Sequence, residues 1–213
     1  MKPVPILISG LVLGAFAIVG VTLVAVTHAA TAGRIAANDR MTMLKKLEAI
    51  VPPGSIGNDP LADRIEVQAA ELLGNASTSV YRVRKDGEPV ALVLNPMVPD
   101  GYAGPIKLLV AVMKDGSLGG VRVVSHHETP GLGDKIEEQR NDWILGFTGK
   151  SLDDPSEDKW KVKRDGGIYD QFTGATITPR SIVKAVANTL RFVKVQGEGL
   201  YTQPAVAPSK GAS

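Results

Sequence analysis

A long apolar run near the N-terminus constrains this chain more than any other feature. No formally charged residue occurs from position 3 to position 33, and the apolar core of the run covers residues 4–26. As a helix, that core spans roughly 30–35 Å, which matches the ~30 Å hydrocarbon layer of a bilayer. We therefore predict a single transmembrane helix within residues 1–33.

A cleaved signal peptide is the alternative explanation of this run. Ala30-Thr31-Ala32 has the small-x-small form of a cleavage site. The apolar regions of signal peptides contain about 7–15 residues, however, and this run is longer. We expect the helix to be retained as an anchor.

The charges that flank the run say little about its orientation. Lys2 and the α-amino group lie before it, and Arg34 and Arg40 lie after it, so the two sides are nearly balanced. Because the run begins almost at Met1, the simpler topology places the N-terminus in the cytoplasm and exports the rest of the chain.

The absence of cysteine narrows the chemistry open to that exported part. Disulfides, zinc–thiolate sites, iron–sulfur clusters and c-type haem attachment all need cysteine. The net charge of +2 argues against nucleic-acid binding, which needs a concentrated basic face. If the chain carries electrons, it must therefore do so on an organic cofactor.

The sequence after the anchor predicts a stalk followed by one α+β domain. Apolar residues recur at near-helical spacing over residues 35–50, and Val-Pro-Pro-Gly then ends that helix. We assign residues 34–54 to the stalk and linker and residues 55–200 to the domain. Residues 201–213, rich in Pro, Ala and Ser, are expected to form a disordered tail.

The middle of the domain is predicted to form an antiparallel meander. Residues 80–95 predict a hairpin around Asp86-Gly87, a pair that favours positive φ. The segment from Ile106 to Met113 is apolar on both faces, as expected for a central strand. Asp115-Gly116 then predicts a turn into a further strand over residues 118–124.

Two helices are predicted to flank this sheet. The first covers residues 134–147, with Trp143 and Phe147 four positions apart. The second covers residues 178–193, with Thr178 as its N-cap and Pro179 at its first helical position.

The segment from Asp170 to Thr178 surrounds a Gly-Ala pair with hydroxyl groups just before the second helix. Gly174 and Ala175 allow close backbone approach, and the positive end of the helix favours a phosphate near Thr176. Arg180 adds a charge in the first turn. Taken alone, an ordinary threonine-rich turn that caps a helix is the better explanation.

A second motif runs from His126 to Lys135 and contains Glu-Thr-Pro-Gly-Leu-Gly. Its prolines and glycines predict a shaped loop after the last strand. Backbone N–H groups, a carboxylate and a threonine suit the polar edge of a planar heteroaromatic ligand. The plain alternative is a strand-to-helix loop with a solvated glutamate.

Together the two motifs resemble the FMN-binding domain of ion-pumping respiratory complexes, and most closely the G subunit of Rnf-type electron-transport complexes. The resemblance also includes the anchor, Trp143 and Phe147-x-Gly149-Lys150, and it extends to about residue 193. The C subunit of sodium-translocating NADH:quinone reductases shares both motifs but is usually longer, so this short chain fits the Rnf type better.

The resemblance implies FMN attached through a phosphoester to Thr176 by a flavin transferase. It implies that the transferase recognises Asp170, Thr173, Gly174 and Ala175. The other residues expected around the flavin are those of the loop and the helix start: His126, Glu128, Thr129, Gly131, Leu132, Gly133, Lys135 and Thr178. Of these, His126 and Lys135, together with His127, are expected to stabilise an anionic flavin; an equal alternative for the two histidines is an ordinary polar strand end.

The resemblance further implies a single-pass protein of the bacterial inner membrane that relays electrons within a complex coupling ferredoxin and NAD to ion transport. Its partners are the other subunits, and the chain has no turnover of its own. Besides the quinone-reductase subunit, the rivals are a non-redox envelope binding module and a metal-dependent hydrolase using His126, His127 and Glu128. The hydrolase is disfavoured because adjacent residues of a strand point to opposite faces.

Overall fold

The structure, a computed structural model, describes residues 4–206, with side chains from residue 8 onward. Helix α1 runs without interruption over Val4–Glu48. Its portion from Ile8 is, by length and composition, the one helix among the described residues able to cross a membrane. Large apolar side chains such as Leu13 and Phe16 are about three-quarters exposed on it, as lipid contact requires. The predicted apolar helix is confirmed, as is its helical continuation.

The chain divides into two compact units, the second of which begins at Leu44. Within residues 4–206 this second unit contains one antiparallel sheet. Its strands are β1 (Arg64–Val67), β2 (Thr78–Lys85), β3 (Glu88–Leu94), β4 (Met97–Val98), β5 (Ile106–Met113) and β6 (Leu118–Ser125). Pairing runs β1–β2–β3–β5–β6, and the short β4 pairs with the start of β5.

The predicted meander is confirmed strand by strand. The hairpin turn between β2 and β3 has positive φ at both Asp86 (52°) and Gly87 (84°), which is the geometry that a tight two-residue hairpin loop needs. Strand β5 is central, and its residues Leu108, Leu109 and Val110 have no exposed surface. Burial on both faces explains its unbroken apolar run.

The predicted helix over residues 134–147 is wrong in form. Two short 3-10 turns occupy this region, Gly133–Ile136 and Asp142–Phe147. The chain between them is extended at Glu137 and Asn141, and the Asn141 side chain accepts a hydrogen bond from the backbone N–H of Trp143 at 2.9 Å. This local asparagine bond competes with helix continuation.

The helix predicted over residues 178–193 is confirmed and is longer. Helix α3 covers Ile177–Thr202 and buries Ile182, Val183, Val186 and Leu190 in the core. The prediction of Thr178 as its N-cap is wrong. The capping position belongs to Thr176, and the buried Thr178 hydroxyl has another partner, described below.

The far end of α3 is held by two arginines of β2. One Nη atom of Arg82 donates to the carbonyl oxygens of Leu200, Tyr201 and Gln203 at 3.3, 3.3 and 2.5 Å, and Arg84 donates to Tyr201 at 2.7 Å. These bonds satisfy carbonyl groups that a helix end leaves open, and the cations suit the negative end of the helix dipole.

Beyond α3, the backbone N–H of Val206 donates to the carbonyl of Arg64 on β1 at 2.8 Å. The remainder of the predicted tail, residues 207–213, lies outside the described residues, as do residues 1–3 of the predicted anchor. A short helix of four residues, α2, covers Ala70–Leu73. Two further 3-10 turns occur at Glu157–Lys159 and Lys163–Asp165.

Candidate functional site

The two sequence motifs meet through Glu128. One oxygen of its carboxylate accepts a short hydrogen bond from the Thr178 hydroxyl, and the other accepts from the backbone N–H of Ala103 at 3.0 Å. Glu128 is 4% exposed and Thr178 is fully buried. The loop after β6 is thus fastened to the first turn of α3, and Glu128 is a buried brace and not the solvated side chain of the plain alternative.

Gly133 packs directly against the Glu128 and Thr178 side chains. A Cβ atom placed on Gly133 would lie 2.7 Å from Glu128 Oε2, 2.9 Å from Glu128 Cβ and 3.3 Å from Thr178 Oγ1. The backbone N–H groups of Leu132 and Gly133 both donate to the carbonyl of Thr129, which folds the loop into a turn. Only a residue without a side chain fits where the carboxylate passes.

Leu132 and Gly174 bring the tips of the two motifs together. Leu132 Cδ2 lies 3.4 Å from the position that a Cβ of Gly174 would occupy, which is van der Waals contact. The Leu132 side chain is nevertheless 42% exposed. An exposed apolar side chain therefore sits beside the Gly-Ala-Thr segment, at the edge where a planar ring attached to that segment would find an apolar surface.

His126 is engaged through both ring nitrogens. Nε2 lies 2.7 Å from Glu137 Oε1, and Nδ1 accepts the backbone N–H of Glu128 at 3.0 Å. An accepting Nδ1 leaves the proton of a neutral ring on Nε2, directed at Glu137. His126 thereby fixes the backbone of Glu128. Its expected interaction with an anionic flavin stays a prediction, as does that of Lys135, whose side chain is half-buried.

The neighbouring His127 is exposed. Among the described residues, no group of three or more His, Cys, Asp or Glu side chains is placed to hold a metal ion. The two imidazoles and Glu128 therefore do not converge as the hydrolase alternative requires.

The segment from Asp170 to Thr178, which the resemblance predicts to be the flavin attachment motif, contains a closed turn. The backbone N–H of Ala175 donates to the carbonyl of Phe172 at 3.1 Å, with Thr173 and Gly174 exposed at the tip. Gly174 has a φ of 81°, which only glycine adopts at little cost. Phe172, the first residue of the turn, is buried. Its ring packs edge-on against the Trp143 ring at a centroid distance of 5.2 Å.

Trp143 also holds the start of the motif, because its indole N–H donates to the carbonyl of Asp170 at 2.8 Å. The Asp170 carboxylate points outward, two-thirds exposed, and lies 2.6 Å from Lys163 Nζ. The backbone of the motif is thus anchored, and its acidic side chain remains two-thirds exposed.

Thr176 stands at the N-terminus of α3 with helical φ and ψ of −74° and −28°. It is half-buried, and its side chain makes no capping hydrogen bond. The first N–H groups of the helix lie next to it, and the positive end of the dipole favours an anion there. A hydroxyl without a capping role, beside a helix start, suits a phosphoester.

The short segment Lys163–Asp165 was not predicted to contribute to the site. Lys163 pairs with Asp170, the backbone N–H of Arg164 donates to the Gln171 side chain at 3.3 Å, and Asp165 pairs with Arg180. This segment therefore contacts the first two residues of the motif and the first turn of α3. Apart from being charged, it carries no sequence signal, and neither does the Ala103 N–H that holds Glu128.

The pair of Asp165 and Arg180 is bidentate, with Nε–Oδ2 and Nη2–Oδ1 distances of 2.6 and 2.9 Å. The hydrogen bond from Arg180 lowers the pKa of the Asp165 carboxyl below its usual value. The same bond raises the pKa of the Arg180 guanidinium. Arg180 thus remains a fixed cation one helical turn after Thr176.

Comparison with known proteins finds two matching family models. Residues 1–50 match the family model described as the RnfG N-terminal region, and residues 101–191 match that of the FMN-binding domain. The second match contains both motifs, Ala103 and the Lys163–Asp165 segment.

Three relatives each bear the name of the G subunit of an ion-translocating oxidoreductase complex. The protein from Pseudomonas aeruginosa (strain UCBPP-PA14) is 46% identical over 205 residues, covering 96% of this chain and 94% of the relative. That from Vibrio atlanticus is 43% identical, covering 92% and 94%. That from Shewanella amazonensis is 43% identical, covering 92% of each.

Proposed function

The chain belongs to the family of G subunits of ion-translocating oxidoreductase complexes, the membrane-anchored FMN electron-transfer subunits of Rnf-type complexes, and we propose that it carries FMN covalently as a phosphoester on Thr176. The match over nine-tenths of both chains disfavours the quinone-reductase C subunit and the non-redox module. The other subunits of such a complex are its partners.

The attachment proposal rests on the Thr176 side chain, which makes no capping hydrogen bond. This hydroxyl stands at a helix N-terminus without a capping bond, whereas the neighbouring Thr178 hydroxyl is buried on Glu128. Of these two threonines, only Thr176 is free to form an ester without breaking the contact that joins the motifs. The ester phosphate would lie where the helix dipole favours negative charge.

Ester formation at Thr176 requires an activated donor, since condensation of a monophosphate with an alcohol in water is unfavourable. In the proposed reaction, Thr176 Oγ forms a bond to the phosphorus of the FMN half of a flavin dinucleotide. The P–O bond of the pyrophosphate breaks, a nucleoside monophosphate leaves, and the hydroxyl proton passes to a base of the flavin transferase. No electron is transferred in this step.

The surface offered to the transferase is the exposed part of the motif. Asp170, Thr173 and Gly174 are exposed and Ala175 is half-buried, while Phe172 and Trp143 fix the backbone beneath them. In this proposal the enzyme recognises a shaped turn with a carboxylate at its entry. Asp170 therefore acts during modification and not in later electron transfer.

When bound, FMN supplies one-electron chemistry, and the protein orients it. The loop residues nearest to the motif serve that orientation. Leu132 offers apolar surface, and Thr129, Gly131 and Gly133 shape its turn. Glu128 and Thr178 hold the loop against α3, and His126 holds Glu128. We propose Lys135 as a nearby cation for a reduced, anionic ring.

The proposed topology is a single pass through the bacterial inner membrane with the N-terminus in the cytoplasm. Residues 1–33 form the anchor, residues 34–54 the stalk, and residues 55–200 the extracytoplasmic flavin domain. Long domains are exported largely regardless of their charge, so the balanced flanks do not oppose this orientation. Protease added to intact spheroplasts should remove the domain. Protection until the membrane is opened would reverse the topology.

Coexpression of the full chain with a flavin transferase tests the attachment. The denatured protein should fluoresce as a flavin band and show the mass of one added FMN unit. Thr176→Val should abolish both signals, and Thr202→Val, at the exposed far end of the same helix, should leave them intact. Retention of the added mass in Thr176→Val would refute the site, and its absence from the parent would refute covalent attachment.

A further inference from the structure

Arg180 lies on the same helix face as the attachment threonine. Thr176 has helical dihedrals, and the backbone N–H of Arg180 donates to the Thr176 carbonyl at 3.4 Å, which closes the first turn of α3. Residues four apart on a helix are surface neighbours with Cβ atoms roughly 5–6 Å apart. The Cβ atom of Arg180 therefore lies beside that of Thr176 on the helix surface.

Asp165 restricts where that side chain goes. Its carboxylate accepts from Nε and Nη2 of Arg180, which fixes the plane of the guanidinium. Among the described residues, Nη1 has no hydrogen-bond partner. An arginine held in this way retains unused donors and has already lost side-chain freedom, so a further anion can bind with less entropic cost.

Of the cations in this region, Arg180 is the one that lies four positions from Thr176 on the same helix face and, among the described residues, keeps Nη1 without a partner. Lys163 is taken by Asp170 at 2.6 Å, and Lys184, a turn further along α3, is directed to Asp100 at 3.8 Å. A phosphodiester carries a single negative charge. Because Asp165 already offsets part of the charge of the arginine, the helix N-terminus and the arginine neutralise that phosphodiester together.

We propose, building on the phosphoester at Thr176, that Arg180 binds the ester phosphate and that Asp165 is a positioning residue that holds the Arg180 guanidinium beside it. The pair acts twice. It lies beside the acceptor hydroxyl while the phosphate approaches, and it neutralises the phosphodiester afterwards. If Arg180 binds the phosphate, its removal changes both the loading rate and the environment of the phosphorus atom. If the Asp165–Arg180 pair only stabilises the fold, removal of Arg180 changes neither in a protein that has folded.

The experiment compares the full chain with Arg180→Gln, Arg180→Lys and Asp165→Asn in the presence of a flavin transferase. The matched control is Arg191→Gln, because Arg191 is also a surface arginine of α3 and pairs with Glu157 at 2.5 Å. Circular dichroism and thermal unfolding establish that each variant is folded. Intact mass then gives the loading rate, and ³¹P NMR of the loaded protein reports the phosphodiester.

Arg180→Gln should load about tenfold more slowly, the effect of one lost charge-assisted contact. Its ³¹P resonance should move relative to the parent, and Arg191→Gln should match the parent in both. Arg180→Lys should recover part of the rate, and Asp165→Asn should load at an intermediate rate. Parent-like loading and resonance in folded Arg180→Gln would overturn the phosphate contact, and a parent-like Asp165→Asn would overturn the positioning role.

These outcomes are distinct from failure of the attachment itself. If Thr176 does not carry FMN, the parent and Arg191→Gln show no added mass and no phosphodiester resonance, and both proposals fall. If the parent loads and Arg180→Gln equals it, only the arginine proposal falls.

Discussion

Glu128 and Thr178, fifty positions apart in the chain, are joined side chain to side chain by a buried hydrogen bond. This bond fastens the loop after β6 to the start of the helix that bears Thr176. The second oxygen of the Glu128 carboxylate reaches the backbone of Ala103, so three separate segments meet at one carboxylate. The placement of the candidate site depends on this junction.

Removing the Thr178 hydroxyl should weaken the junction. Thr178→Val leaves a Glu128 oxygen buried without its donor, which costs about 1–3 kcal/mol in the free energy of unfolding. Thr178→Ser keeps the donor and should cost less. Denaturant unfolding of the full chain in detergent measures both. A Thr178→Val variant with the same free energy of unfolding as the parent would show that the hydrogen bond does not stabilise the junction.

Gly133→Ala should also open the junction, for a steric reason. The new Cβ would lie 2.7 Å from Glu128 Oε2, so the carboxylate must move away from Thr178. Overpacking of this kind typically costs about 1–3 kcal/mol. Gly146→Ala is the matched control, because no atom lies within 4 Å of its Cβ position. A Gly133→Ala variant as stable as this control would show that the loop relaxes freely.

Trp143→Phe should loosen the attachment motif more than the rest of the domain. The variant loses the indole bond to the Asp170 carbonyl while it retains an aromatic ring against Phe172. Amide hydrogen exchange should quicken over residues 170–175. Trp160→Phe loses a comparable 3.0 Å bond to Ser151 and serves as the control. If both variants change exchange equally in that stretch, the effect is a global loss of stability.

The ion pair of Asp165 and Arg180 should be visible in a carboxyl titration. The bond from Arg180 lowers the pKa of Asp165 in the folded state. Its stabilising contribution is therefore complete above the unfolded pKa, about 3.9, and is lost as the pH falls through the lower folded value. In Arg180→Gln the NMR-detected pKa of Asp165 should rise toward the ordinary range. An unchanged pKa would mean that the pair does not persist in solution.

Elements with a strong local pattern could be predicted from the sequence. The hairpin turn at Asp86-Gly87 and the buried strand β5 carry their geometry in residue type and periodicity. The apolar stripe of α3 likewise predicts a helix. These features depend on nearby residues alone, which is why a single sequence suffices for them.

Predictions failed where a distant partner decides the outcome. Thr178 is of a residue type that commonly caps helices, but its hydroxyl donates to the distant Glu128 carboxylate. The N-cap position is occupied by Thr176 instead. The helix expected over residues 134–147 failed for a different, local reason: the Asn141 side chain accepts the Trp143 N–H, and two 3-10 turns form instead. Asp165 and Ala103 contribute through contacts that no spacing reveals.

The closed turn from Phe172 to Ala175 bears on the order of events in the life of this protein. The turn is held by its own backbone bond, by Gly174 and by the aromatic ring beneath it, all of which belong to the folded polypeptide. If Thr176 carries FMN as proposed, loading is expected to follow folding as a separate maturation step. Under that order of events, folded but colourless subunits would precede the loaded ones, and the supply of activated flavin would set how many become competent for electron transfer.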